Sequence, residues 1–386
     1  MAYRFKRGGS VAKEVPRVAE KQVERALDAL AGDDQSEAVH DARTAIKRLR
    51  GLLRLIAPDP GGRAQKDTRK MRDLADQLSD LRDAEVMVQT FDRLWQLFEP
   101  ELGPAVRRVR ARLLQRLRSV VDALDRPERM HESQQGFRKL RKRVQKWVPR
   151  HGHKQGGWAA LAPGLTETYA KGRRWFRRAG ESHDEHAFHQ WRRHVKYHGY
   201  HLQLLADVWP DEVEDRGNAL THLGEVLGED HDLAVFRATL EAEPSCFENA
   251  KDRRRLFACI AARQKSLRSE ALPLGERLYA QAPGAFTERM KEHWDAWRHE
   301  QRGRGKPAAK TKSAAKARAA TKAKPATKAA KVAAKVAAKT ASTKASKKAS
   351  AKRALTPAPK KVSRGLSSPH PVSLRSPDLS PRGGER

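Results

Sequence analysis

Cysteine is nearly missing from this chain: Cys246 and Cys259 are the only two in 386 residues. They are too few and too far apart for a disulfide scaffold or a zinc ribbon. Such usage fits a reducing compartment, so a cytoplasmic location is expected. No run approaches the roughly eighteen apolar residues of a membrane helix. The start, MAYRFKRGGSVAKEVPRV, is basic but has no apolar core of a secretory signal, so neither export nor a membrane partner is expected. Alternating β-branched runs and Asn-Gly hairpin turns are absent too, which argues against strands. There is no GxxxxGK[ST] phosphate loop, no HExxH, no CxxC and no ExExK. No catalytic constellation can be assembled, and a non-enzymatic protein without a cofactor is expected.

Positive charge is what the chain has in excess. The formal net charge is +33, unevenly spread. From Gly303 onward there are 23 Lys and Arg against 2 Asp and Glu, and no Phe, Tyr or Trp. A segment of Ala, Lys, Thr, Ser and Pro cannot bury enough surface to fold alone, so residues 303–386 are expected to be a disordered basic tail. AAKVAAKVAAK, with Lys331, Lys335 and Lys339 four residues apart, is expected to turn helical only when a polyanion neutralises it. Residues 1–302 keep the apolar periodicity of a folded domain, and a moderately basic one. Such a chain seeks polyanions.

Residues 39–56, VHDARTAIKRLRGLLRLI, concentrate this charge. His40, Arg43, Lys47, Arg50 and Arg54 recur at steps of three and four, which on a helix is one continuous stripe. Val39, Ala42, Ile46, Leu49, Leu53 and Ile56 make an apolar stripe beside it. The cations therefore run along the border of the buried face, where packing fixes their direction. Asp41 is the one acid among them.

Residues 188–205, FHQWRRHVKYHGYHLQLL, repeat the device. An offset of 149 carries His40, Arg43 and Lys47 onto His189, Arg192 and Lys196. The same offset carries LSDLRDAEV at 78–86 onto LGEDHDLAV at 227–235. Two separated blocks sharing one offset point to an internal duplication, with halves at about 1–150 and 151–302. Two rows of cations related in this way are able to line two walls of one cleft. A phosphate chain is a dense line of negative charge, which Arg grips bidentately and Lys holds as a point charge. Histidines in both rows add a group expected to charge below about pH 6.5.

Helices are expected at about 11–31, through the first stripe to 56, 63–79, 82–98, 104–124 and 138–148. The second half supplies about 160–180, 184–207, 212–227, 230–241, 245–280 and a last one to about 302. Asp34 or Ser36 is expected to cap the stripe helix, and Asp83 and Asp232 to cap the helices they open. Arg138, Arg141, Arg173, Arg174 and Arg177 are candidates to extend the basic surface. His183, His186, His189, His194, His198 and His201 form a run that raises a metal site, but no carboxylate or Cys completes a set and basic neighbours disfavour a cation.

HDARTAIKRLRGLLRL with LSDLRDAEV, and FHQWRRHVKYHGYHLQLL with LGEDHDLAV, resemble the CHAD family, the conserved-histidine α-helical domain. LGERLYAQAP at 274–283 and HWDAWR at 293–298 are similar to its closing segment, so the resemblance spans about residues 5–300. It implies an all-α fold of two pseudo-symmetric four-helix bundles around a basic cleft, with inorganic polyphosphate as ligand. His40, Arg43, Lys47, Arg50, Arg82, His189, Arg192 and Lys196 match the family's basic set. Gly199 and Gln203 stand where the first half has Arg50 and Arg54, so the second stripe is shorter; Arg193 and His194 stand beside the gap. The competing reading is a nucleoid-type DNA- or RNA-binding protein working through its tail, which resembles that of a linker histone. A metal-dependent phosphohydrolase ranks behind both.

Overall fold

Eleven α-helices and no strand occur among the described residues. The structure is a computed structural model that describes residues 3–6, 9–58, 61–103, 106–124, 127–149 and 157–304, the side chains at 124, 127, 211–212 and 301–304 excepted. The expected tail and its Lys331–Lys339 segment lie outside the described residues.

Amphipathic periodicity builds the first half. α1 (Val11–Ala29) buries Val11, Val15, Val18 and Val23, with Pro16 in its second turn. α2 (Gln35–Ile56) carries the first stripe. Asp34 caps it, accepting from the Glu37 N–H at 3.0 Å, and it buries Val39, Ala42, Ile46, Leu49, Leu53 and Ile56. α3 (Gly62–Gln77) and α4 (Ser79–Leu102) follow, then α5 (Arg107–Leu124) and α6 (Pro127–Val144). The last starts earlier than expected and stops at Val144, and its buried face runs back beyond 138 through Ser133, Phe137, Leu140 and Val144. α1, α2, α3 and α6 pack in a ring, each against the next.

The second half contains α7 (Ala162–Ser182), α8 (Glu185–Leu204), α9 (Pro210–Ala242), α10 (Ala250–Leu278) and α11 (Pro283–Arg304). Asp184 caps α8 by accepting from the Ala187 N–H at 2.7 Å. The expected break near 228–230 does not exist: α9 runs unbroken through Gly224 and Gly228. Neither glycine is followed by a proline or capping residue, and α8 crosses there. A Cβ on Gly224 would stand 3.1 Å from Lys196 Nζ. The corresponding first-half position does break, at Leu78 between α3 and α4. α7, α8, α9 and α10 close their own ring, and α4 packs on both α9 and α10.

Two close approaches join the halves. α2 packs against both α7 and α8. A Cβ on Gly164 would fall 2.1 Å from the Leu55 carbonyl oxygen, so α7 and α2 touch backbone to backbone. His201 Nε2 lies 2.9 Å from the Gly51 carbonyl oxygen, which fixes α8 against α2.

Candidate polyanion site

The two stripe helices face each other. Lys47 of α2 is surrounded by Arg43, by Arg82 of α4, and by Arg192 and Lys196 of α8. Burial by the surrounding protein, then repulsion from these four cations, lowers its ammonium pKa to about 8. The same Lys47 remains accessible to water. A group enclosed by protein on most sides yet wet lies in an open trough. Lys196 is lowered as well, by burial and then by Arg192, with Glu225 and Asp232 opposing.

Each trough arginine is held differently. Arg43 donates from Nη1 to the Ala75 carbonyl at 3.0 Å and reaches Asp83 at 3.7 Å. Arg82 pairs with Glu85 on its own helix at 3.3 Å. Arg192 lies deep, lowered by burial with Asp232 opposing. The Nε atoms of Arg43 and Arg192 are buried without a protein partner. Unmatched buried donors of this kind cost free energy.

The expected capping role of Asp83 and Asp232 is corrected. Asp83 sits in the second turn of α4 and Asp232 in the middle of α9, where no free N–H group remains. Both carboxyls face the trough instead. Burial raises their pKa values, although Arg43, Lys47 and Arg82 pull Asp83 down, and Arg192, Arg93, Arg82 and Lys47 pull Asp232 down. Asp232 also meets Arg93 at 3.6 Å.

The histidines separate. His40 is exposed at the start of α2. His189 is half-buried, its Nδ1 3.1 Å from Nδ1 of His231. One ring donates and the other accepts, so the contact forbids both rings being charged at once. Burial, then Arg192 and Arg193, lower His189 to about 4; burial, Arg192 and His189 lower His231 to about 3. The expectation that His189 charges near pH 6.5 is thereby overturned. His194, His198 and His201 are buried in the core. Rings at i, i+4 and i+7 share the apolar face, so these three follow Val195 and Leu202 inward. Among the described residues, no three His, Cys, Asp or Glu side chains group as a metal site requires.

A second cationic group surrounds Tyr197. Arg54 lies over its ring, 4.6 Å from the centroid. Burial pushes the Tyr197 phenol up, but Arg50, Arg54 and Arg193 outweigh it and the net shift is down. Arg193 donates to Gln190 at 2.9 Å. Arg54, Arg193, Lys171 and the exposed Arg174 also act on buried His194, whose pKa burial lowers to about 3.

Other candidates lie apart. Arg141 is exposed and bound to Glu20 and Glu24 of α1 at 3.2 and 3.4 Å. Arg173 donates to the Tyr279 carbonyl. Arg138 and Arg177 are exposed. Sequence reasoning missed Arg93, whose second-half counterpart is Ala242. It also left out His231, although the 227–235 block contains it.

A family model described as the CHAD domain matches residues 17–241. No protein of curated function matches the chain. The crystal structure of the CHAD domain from the plant Ricinus communis is similar, with 16% identity and a TM-score of 0.43. That similarity covers 77% of this chain and 95% of that chain.

Proposed function

The chain belongs to the CHAD family, and we propose that it binds inorganic polyphosphate, without catalysing a reaction, in the trough between α2 and α8. One observation carries the reading. Arg43, Lys47, Arg82, Arg192 and Lys196 converge from three helices, and burial first, then repulsion from the other four cations, lowers Lys47 to about 8. Repulsion stored in this way is relieved by a ligand with negative charge at short, regular intervals. A polyphosphate chain supplies that, and its binding releases condensed counterions as well. Arg50, Arg54 and Arg193 supply further cations beside the trough. The 149-residue offset supports a further proposal, that the two walls descend from one duplicated unit.

The tail supports the second reading. Its 23 cations bind duplex DNA by charge, without reading bases. The two readings combine if the trough holds polyphosphate while the tail holds DNA, with the protein at polyphosphate granules beside the nucleoid. Competition binding of the full chain and of residues 1–302 separates them. The expected result is that removal of the tail weakens DNA binding far more than polyphosphate binding at matched salt. Equal affinity of residues 1–302 for DNA and long-chain polyphosphate overturns the assignment.

A further inference from the structure

α5 presents an outer face of one charge sign. It exposes Arg107, Arg108, Arg110, Arg112, Arg116 and Arg118 and carries no acid before Asp122. Two features oppose its stability. Arg107, Arg108 and Arg110 stand in the first turn, where the helix dipole favours acids. Arg108, Arg112 and Arg116 are stacked at i, i+4 spacing, where like charges repel. Packing does not require them, since the buried side of α5 is Val109 and Leu113.

Neighbouring acids balance only part of this charge. Arg108 meets Glu248 at 3.3 Å, Arg110 meets Asp92 at 2.7 Å and Arg116 meets Glu243 at 3.1 Å. Arg112 donates to the amide oxygen of Gln115, at 3.2 Å. Each acid ties α5 to a neighbour and leaves the outer face cationic.

The decisive contact is on α4. Arg93 reaches Asp232 of the trough, while the adjacent Asp92 holds Arg110 of α5. Adjacent residues of α4 thus contact the trough and the α5 face, which places the two cationic surfaces on neighbouring sides of that helix. We propose that α5 is an exit track, on which a long polyphosphate chain leaving the trough past Arg93 continues along the arginines. At about 1.5 Å per residue the helix adds about 27 Å of cationic surface. Long chains span both segments and short ones fill the trough alone, which makes the protein selective for chain length.

This inference rests on the polyphosphate reading of the trough. Its test is arginine footprinting of the full chain with phenylglyoxal, read residue by residue, so that tail binding does not mask the result. Tripolyphosphate is expected to protect Arg43 and Arg82 but leave Arg112 and Arg118 fully reactive. Long-chain polyphosphate is expected to slow modification of all four several-fold. In the double variant Arg112→Glu/Arg118→Glu, long chains are expected no longer to slow modification of the exposed Arg108 and Arg116, while tripolyphosphate still protects Arg82. Unchanged reactivity of Arg112 and Arg118 under long chains that protect Arg82 overturns the track alone. So does protection of α5 by duplex DNA but not by long-chain polyphosphate. Failure of every phosphate chain to protect Arg82 overturns the trough reading with it.

Discussion

Gly51 of α2 and Tyr200 of α8 stand in contact: a Cβ on Gly51 would lie 3.0 Å from that of Tyr200. The two positions are related by the same 149-residue offset as the stripes, so the helices cross where positions at that offset meet. Lys47 lies one turn before Gly51, and Lys196 one turn before Tyr200. The missing side chain at Gly51 is thus what brings the two cationic rows within reach of each other.

Charge reversal in one wall tests the trough directly. Arg43→Glu/Lys47→Glu is expected to remove polyphosphate binding from residues 1–302 while leaving helicity by circular dichroism unchanged. In the full chain the slope of log affinity against log salt is expected to shrink by about 2. Unchanged affinity without the tail would remove α2 from the mechanism.

Lys47 predicts a pH dependence. Free, it loses its proton near pH 8; bound to phosphate, it holds the proton to higher pH. Binding therefore takes up a proton, and affinity falls as pH rises through 8 and beyond. The fall is at most about tenfold per pH unit for one group. Calorimetry in buffers of different ionisation enthalpy counts that proton. Lys47→Arg, which stays charged, is expected to flatten the profile above pH 8, and an equally steep profile in this variant refutes the assignment.

The buried histidines predict the opposite limb, in stability. In the unfolded chain these rings titrate near 6.5, whereas burial lowers folded His194 and His201 to about 3 and His198 well below its usual range. Below 6.5 the unfolded state binds more protons, so stability falls as pH drops from 6.5 toward 3. The loss is up to about 1.4 kcal/mol per pH unit for each ring. Urea unfolding at pH 7 and pH 5 measures it. His198→Phe, in a pocket already lined by Tyr169 and Phe286, is expected to reduce the acid loss, and parallel losses in the two proteins would exclude His198 as a source.

Periodicity carried most of the fold. The apolar residues of 39–56 bury on one face and the cations follow at its border, because side-chain direction on a helix is a local property. The α9 error has the opposite cause. Gly224 and Gly228 look like breakers in isolation, but they lie under Lys196 and Arg192 of a crossing helix. Arg93 and the trough-facing carboxyls were hidden for a related reason. No spacing in α4 says that Asp232, far along the chain, will stand 3.6 Å away. The histidines were legible as a run but not as charges, since their pKa values depend on neighbours that only the packed helices supply.

Gly164→Ala tests the junction of the halves. A methyl there would overlap the Leu55 carbonyl at 2.1 Å, and backbone on both sides prevents a rotamer escape. Overpacking of this kind costs about 3 kcal/mol. A drop in Tm of several degrees is expected, with weaker polyphosphate binding because α2 shifts relative to α8. A variant as stable as the parent would show that the helices slide freely.

The trough carboxylates predict a gain. Asp83 and Asp232 face the path of an incoming polyanion and occupy Arg43 and Arg93. Asp83→Asn and Asp232→Asn keep the shape and remove the negative charge, so each is expected to raise polyphosphate affinity. The side chain of Asp83 is 59% accessible and that of Asp232 27%. Water screens the first more, and the gain is therefore larger for Asp232→Asn, of order tenfold against a few-fold. Both substitutions also remove a charge that favours protonated Lys47, so its pKa is expected to fall further below 8 in the free protein. Calorimetric titration measures the affinity and NMR titration of labelled lysine the pKa. Affinity unchanged or reduced in both variants would mean that polyphosphate does not pass the two carboxyls.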